Sequence, residues 1–97
     1  MSVKVILEVA AKPGSEAALK KLFADALTDT RKYDGCVRID VLENQDKPGN
    51  LILVEEWATR PHYEKYLAWR TETGLVDKLG GFLAGPPSIR YFEQLDA

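Results

Sequence analysis

The sequence predicts an α+β fold with elements in the order β-α-β-β-α-β. Three observations predict it. Apolar and other residues alternate from Val3 to Val9, apolar residues recur at helical spacing from Ala18 to Leu27, and two strand-like runs flank the turn Asp46-Lys47-Pro48-Gly49-Asn50. The first strand covers 3–10, with Val3, Val5, Leu7 and Val9 on one face. Lys12-Pro13-Gly14 turns the chain, Ser15 offers an N-cap, and Glu16 suits the positive end of a helix. That helix carries Ala18, Leu19, Leu22, Phe23, Ala26 and Leu27 to about Thr30, with Arg31 and Lys32 in its last turn and Asp34-Gly35 ending it. The second strand covers 36–43 and the third 51–57. Thr59 is placed to cap a second helix, with Pro61 in its first turn. Gly74 breaks that helix, a short helical piece follows over 75–83, and Gly85-Pro86-Pro87 leads into a last strand over 88–94. This is the ferredoxin-like pattern: a four-stranded antiparallel sheet with helices on one face and the second helical region split.

The helix-covered face is expected to carry Val3, Val5, Leu7, Val9, Val37, Ile39, Val41, Ile52, Val54, Ile89 and Tyr91. The opposite face would mix Ile6, Leu42, Leu51, Leu53, Trp57 and Phe92 with Lys4, Glu8, Arg38, Asp40, Glu55 and Arg90, and would hold Cys36 and Ser88 as well. Leaving those apolar groups in water exposes a sizeable patch, and burying those charges unpaired is costly. A second copy of the same face relieves both, so the expectation is a two-fold homodimer packed sheet to sheet.

Ninety-seven residues are expected to form a single domain spanning 1–97. A core this small gains from oligomerisation. Apolar residues at 45% and charged residues at 29% fit an ordinary globular chain. The net charge of −2 gives no reason to expect nucleic acid or an anionic membrane as partner. One cysteine excludes an intrachain disulfide, and Cys36 reads as a small core residue. Met1-Ser2-Val3-Lys4-Val5 enters a strand without the order of a secretory signal, and no apolar run approaches the ~20 residues of a membrane span. A cytoplasmic protein is expected.

Chemistry-bearing residues concentrate in 51–69, which holds the only histidine, both tryptophans, Tyr63, Tyr66 and Glu55. His62 has the one side chain that ordinarily titrates near neutrality, and it is a candidate base for a phenol or quinol. Its plainer role is an exposed residue of a first helical turn. Glu55 is a second candidate base if burial raises its pKa, and otherwise an ion-pair partner of Arg38 on the same sheet face. Trp57 offers a stacking surface for a flat ligand or fills the dimer core. Tyr63 and Tyr66 lie three apart on one helix and can touch one another; one is expected to pack on the sheet, and either is a candidate to reach a ligand. Arg90 is a candidate for steadying a phenolate or enolate oxygen, or a partner of Asp40 or Glu8. A lone histidine without a second His or Cys is a poor metal signal, so no metal is expected.

Several pieces together resemble the antibiotic biosynthesis monooxygenase (ABM) family of the dimeric α/β-barrel superfamily. They are Val5-Ile6-Leu7-Glu8-Val9, Lys12-Pro13-Gly14-Ser15-Glu16, Asp34-Gly35-Cys36, Pro48-Gly49, Glu55-Glu56-Trp57-Ala58 and Pro87-Ser88-Ile89-Arg90-Tyr91. The resemblance covers essentially the whole chain, and it implies that two sheets pair into a barrel. It also implies a cofactor-independent oxygenation of quinol-like or polycyclic phenolic substrates, or else haem degradation. In the polyketide-oxidising branch the pocket pattern is Asn-x3-Trp-x5-Tyr. Trp57 and Tyr63 match it, and Leu53 stands at the Asn position. A helix His before Leu is replaced here by Tyr66-Leu67, with His62 one turn earlier. The Asn of the first strand and the later axial His of the haem-degrading branch have no counterpart, which disfavours haem.

The expected function is therefore a small monooxygenase that takes a flat aromatic, removes its phenolic proton and lets the anion reduce oxygen. No Gly-x-Gly-x-x-Gly or Walker sequence is present and no cofactor is expected. His62 and Glu55 are the catalytic candidates, with Trp57, Tyr63, Tyr66, Arg38 and Arg90 binding the substrate. The competing readings are an isomerase or lyase using the same groups and a non-catalytic, stress-associated dimer that holds a small molecule. An RNA-recognition module shares the element order, but it needs exposed aromatics and basic neighbours on its central strands, where this chain has Lys4, Ile6 and Glu8.

Overall fold

The computed structural model describes residues 2–97. Met1, the first residue of the N-terminal reading, lies outside them. The elements are β1 (Val3–Ala10), α1 (Glu16–Thr30), β2 (Cys36–Glu43), β3 (Asn50–Trp57), α2 (Arg60–Glu72), α3 (Leu75–Gly80) and β4 (Ser88–Phe92). The strands form one sheet in the order β2-β3-β1-β4, and every neighbouring pair is antiparallel. The β-α-β-β-α-β order, the antiparallel sheet and the split second helical region are as the sequence predicts.

Helix α1 buries Leu19, Phe23 and Leu27 against the sheet, at the spacing that makes one apolar stripe, and buries Leu22 toward the groove lined by Leu75 and Phe82. Ser15 makes no side-chain cap, and its carbonyl accepts from the Leu19 amide instead. The helix ends at Thr30, before Arg31 and Lys32. Thr59 caps α2 as expected, its hydroxyl accepting from the His62 amide at 3.2 Å. Helix α2 buries Tyr63, Tyr66 and Arg70, a stripe at i, i+3 and i+7. Gly74 adopts φ +84 between α2 and α3, a left-handed conformation that suits glycine. Helix α3 stops at Gly80 instead of continuing to 83, because Phe82 and Ala84 bond to the end of β1: Lys12 N donates to the Phe82 carbonyl at 2.9 Å and Ala84 N to the Ala10 carbonyl at 2.8 Å.

The register corrects the expected assignment of faces. Val3, Val5, Leu7 and Val9 pair with Trp57, Glu55, Leu53 and Leu51, and directly paired residues share a face. Since Val5, Leu7 and Val9 are buried under the helices, so are Leu51, Leu53, Glu55 and Trp57. Ile52, Val54 and Glu56 occupy the open face. A one-residue error of parity in β3 inverts every side chain of the strand. On β2 the register shifts between Cys36 and Arg38, which leaves Val37 59% exposed and sets Cys36 opposite Trp57, on the helix side. Glu55 and Arg38 therefore lie on opposite faces, and the ion pair expected between them does not form. Arg38 Nε instead donates to Asp40 at 2.8 Å.

The open face carries Lys4–Glu56 and Arg90–Glu8 ion pairs at 2.9 and 3.3 Å, interleaved with Ile6, Ile52, Val54, Leu42 and Phe92. Leu42 and Phe92 are 53% and 46% exposed. Among the described residues, no helix is long and apolar enough to cross a membrane.

Candidate functional site

The sheet and the three helices enclose a cavity of ≈ 80 Å³. Its floor is Leu7, Leu53 and Ile89, and Phe23, Leu27 and Leu67 continue the apolar lining. Helix α3 closes one side with Leu75, Val76 and Leu79, although no residue of α3 is itself buried. Polar groups enter the lining at Glu55 on the sheet, at Thr30 on α1, and at Tyr63, Tyr66 and Arg70 on α2.

Glu55 is 4% exposed and stands in the middle of the sheet, flanked by Val5 and Ile39. The Trp57 indole N–H donates to its Oε1 at 2.8 Å. Burial disfavours the charged carboxylate and pushes its pKa up from 4.5 to about 7, against the opposing pull of the Trp57 hydrogen bond. Near neutral pH this carboxyl exchanges its proton readily, the condition for a general base.

Trp57 is fully buried and does not line the cavity. Its ring meets Tyr33, Tyr63 and Tyr66 with centroids at 6.4, 5.4 and 4.9 Å. It acts on the site through the hydrogen bond that orients Glu55. Tyr63 and Tyr66 both line the cavity, with ring centroids 6.1 Å apart. Burial raises both phenol pKa values above the ordinary tyrosine value, so both stay neutral hydrogen-bonding groups near pH 7 and neither is a base. The Tyr66 hydroxyl lies 2.7 Å from Thr30 Oγ1 and accepts from Arg70 Nε at 3.0 Å.

His62 is not brought to the cavity. Its Nδ1 lies 2.6 Å from Thr59 Oγ1 and its Nε2 3.7 Å from Asp34, both on the outside of the α2 N-terminus. Its ring sits over Gly35, where an added Cβ would stand 2.5 Å from His62 Cβ and Cγ. Gly35 also has φ +89. Gly35→Ala is thus expected to cost about 2 kcal/mol or more, combining left-handed strain with a clash against a near-backbone atom. The midpoint of urea unfolding measures it.

Arg38 and Arg90 lie on the open face, paired with Asp40 and Glu8, and do not line the cavity. The Arg90–Glu8 pair is one of the two partnerships foreseen for Arg90. Cys36 is half-buried on the helix side, and burial chiefly raises its pKa, so its thiol is not activated. Among the described residues, no group of three or more His, Cys, Asp or Glu is placed to hold a metal.

Sequence reasoning missed Arg70 and Thr30. Arg70 is 8% exposed, yet its side-chain hydrogen bonds reach only Tyr66, Thr30 and the Ala26 carbonyl, with no carboxylate among them. The available signal was its position seven residues after Tyr63 and four after Tyr66, on the stripe that faces the sheet.

The family model described as antibiotic biosynthesis monooxygenase matches residues 2–71. The chain belongs to the antibiotic biosynthesis monooxygenase family. Among its relatives is the Mycobacterium tuberculosis protein named "Putative monooxygenase Rv0793", 30% identical over 103 aligned positions that cover 97% of this chain and 92% of that one. The solved structure of Rv0793 superposes with a TM-score of 0.88 at 27% identity, covering 100% of this chain and 98% of that one. A mutant of SnoaB, described as a cofactor-independent oxygenase from Streptomyces nogalater, superposes with a TM-score of 0.85 at 17% identity, covering 99% and 95%. A conserved protein from Methanosarcina mazei Go1 gives a TM-score of 0.88 at 18% identity, covering 98% and 94%. The last two show a shared ABM fold. The matched span of the family model includes Glu55, Trp57, Tyr63, Tyr66 and Arg70.

Proposed function

We propose that this ABM-family protein is a cofactor-independent monooxygenase of an electron-rich aromatic, a quinol or a polycyclic phenol, and that Glu55 is its base. The observation that carries the reading is the one carboxyl of a largely apolar cavity, held by a single indole N–H and with its pKa raised to about 7. The ionised carboxyl takes the phenolic proton, and the largely apolar lining beside Glu55 favours delocalised charge on the ring over charge localised on the carboxylate. The anion passes one electron to oxygen, the radical pair combines to a peroxide anion on a ring carbon, and the proton held by Glu55 returns to it to give the hydroperoxide. Loss of water then leaves a carbonyl. In sum a phenol and O2 give a quinone and water, with one oxygen atom in each product. SnoaB, described as a cofactor-independent oxygenase, shares the fold, which supports this reading by analogy.

The cavity of ≈ 80 Å³ has the volume of only a few waters and lies below the ~300 Å³ at which ligand pockets begin. A multi-ring substrate therefore enters as the α3 wall moves outward, and Gly74 gives that wall a flexible joint. The test is oxygen consumption by metal-free protein with a panel of quinols, hydroxylated naphthalenes and anthrones. Uptake without added cofactor, with one ¹⁸O atom in the product, is expected. Proton exchange or rearrangement of the substrate without oxygen uptake would replace the reading with an isomerase. Tight aromatic binding without turnover would replace it with a binding protein.

The partner of the open sheet face is proposed to be a second copy of the chain. Leu42, Phe92 and Ile6 form an apolar surface, and the charges around it pair locally, Lys4 with Glu56, Arg90 with Glu8 and Arg38 with Asp40. Such a surface meets its own copy without unpaired charge. Sedimentation at micromolar concentration is expected to give a dimer, and Leu42→Asp a monomer that keeps its helical circular dichroism. A wild-type monomer would refute the pairing.

A further inference from the structure

Arg70 is a buried cation for which the described residues provide no anion. It takes part in none of their ion pairs. Its Nε donates to the Tyr66 hydroxyl at 3.0 Å, and one terminal nitrogen, Nη2, donates to the Ala26 carbonyl at 2.7 Å and to Thr30 Oγ1 at 2.9 Å. The other terminal nitrogen, Nη1, has no acceptor among the described residues, and no buried side-chain nitrogen or oxygen of those residues is left unsatisfied away from accessible space. Nη1 therefore borders accessible space. Arg70 lines the Glu55 cavity and also an outer groove that holds Lys21, Asp25 and Lys78. Asp25, the acid of that groove, is paired with Lys21 at 3.1 Å.

A guanidinium at the C-terminus of α1 gains from the helix dipole, which accounts for part of its burial. The Trp69 and Tyr66 rings also face the guanidinium, with centroids 4.5 and 5.4 Å from its carbon, so the dipole and two π-faces offset part of the charge while no carboxylate does. The rigid fork, fixed on two of its three nitrogens, offers its remaining donors to a planar oxygen acceptor.

We propose that Arg70, oriented by Tyr66 and Thr30, is the oxyanion-binding end of the cavity and selects aromatic ligands that carry an oxygen at the end remote from Glu55. The substrate class narrows accordingly. One oxygen gives its proton to Glu55 and a second, conjugated through the ring, receives the displaced charge at Arg70. Hydroquinones and hydroxy-carbonyl aromatics meet both demands, and a simple monophenol meets one. The two-ended selection rests on the proposed role of Glu55, whereas oxyanion binding at Arg70 does not. Arg70 takes the role that the sequence suggested for Arg90.

The experiment uses 4-nitrophenol, whose phenolate is coloured and which needs no oxygen chemistry. The bound probe is titrated against pH in wild type, Arg70→Gln and Tyr66→Phe. Glu55, Tyr63 and Tyr66 face the cavity and Lys21, Asp25 and Lys78 the groove, so Glu55→Gln is titrated alongside to remove the one cavity group that ionises in the same range. In wild type the probe's apparent pKa is expected to fall by about one unit or more, which is at least tenfold tighter binding of phenolate than of phenol. Arg70→Gln abolishes the shift. Tyr66→Phe, a variant that keeps the ring in the core, reduces it. A wild-type probe that does not bind, or binds with its solution pKa, overturns the proposal, as does a shift that persists in Arg70→Gln or is undiminished in Tyr66→Phe. A shifted probe with no oxygen uptake on any quinol leaves Arg70 as an oxyanion site and removes the oxygenase reading alone.

Discussion

Replacing Glu55 by Gln is expected to lower oxygen uptake by about 10²–10⁴-fold, the usual contribution of a general base. The same change is expected to stabilise the fold above neutral pH. The unfolded carboxyl titrates near 4.5 and the folded one at about 7, raised chiefly by burial. The folded state therefore binds the proton more tightly. The stability this provides is complete below the unfolded pKa, declines as the pH rises, and is lost once the pH passes the folded pKa. Across that window the decline is about 3 kcal/mol, at ~1.4 kcal/mol for each pH unit separating the two pKa values. Glutamine accepts the same Trp57 hydrogen bond and never ionises, so its melting temperature should not fall over this window. A variant that is inactive yet more stable than wild type at pH 8 is the signature of a carboxyl kept for chemistry at the expense of the fold. His62→Ala serves as the control and is expected to leave turnover close to wild type, because His62 faces outward from the α2 N-terminus.

Trp57→Ala is expected to cost about 3–5 kcal/mol, a large share of the roughly 5–15 kcal/mol that holds a domain together. The indole is fully buried and touches Tyr33, Tyr63 and Tyr66, so its removal opens a hole in the aromatic cluster under α2. Urea denaturation gives the figure. Trp57→Phe separates packing from hydrogen bonding. It keeps most of the volume but deletes the N–H that lowers the Glu55 pKa. That pKa then rises further, and the ascending limb of the pH–rate profile moves to higher pH. A structural role alone would lower stability and leave the limb in place.

The element order was legible because each element carried an unambiguous period or a turn residue whose conformation admits few alternatives. Gly35, Gly49 and Gly74 all have positive φ at the ends or turns where the sequence placed them. The faces of β3 were not legible in the same way. Both parities of Leu51-Ile52-Leu53-Val54 are apolar and Glu55-Glu56 puts one carboxylate on each face, so neither alternation nor charge gave a preference. The register with β1 decides the matter, because Val5 opposite Glu55 leaves no alternative once Val5 is under the helices. That correction moved Glu55 and Trp57 from the open face into the core, and with them the centre of the candidate site. A bulge after Cys36 hid the parity of β2 in the same way. Arg70 escaped notice because arginines on a helix are ordinarily solvated, and only the packing of α2 on α1 shows that this one is enclosed. His62 drew attention for its intrinsic pKa, a property of the residue type that carries no information on where the side chain points.

The most direct test of Glu55 as the base is the titration of its carboxyl. In protein labelled with ¹³C at glutamate Cδ, the Glu55 resonance is assigned by its loss in Glu55→Gln and followed against pH. A midpoint near 7 is expected, and a higher one in Trp57→Phe. A midpoint near the ordinary value of 4.5, unmoved by Trp57→Phe, would mean a solvated carboxylate and would contradict the assignment of Glu55 as a base tuned by burial.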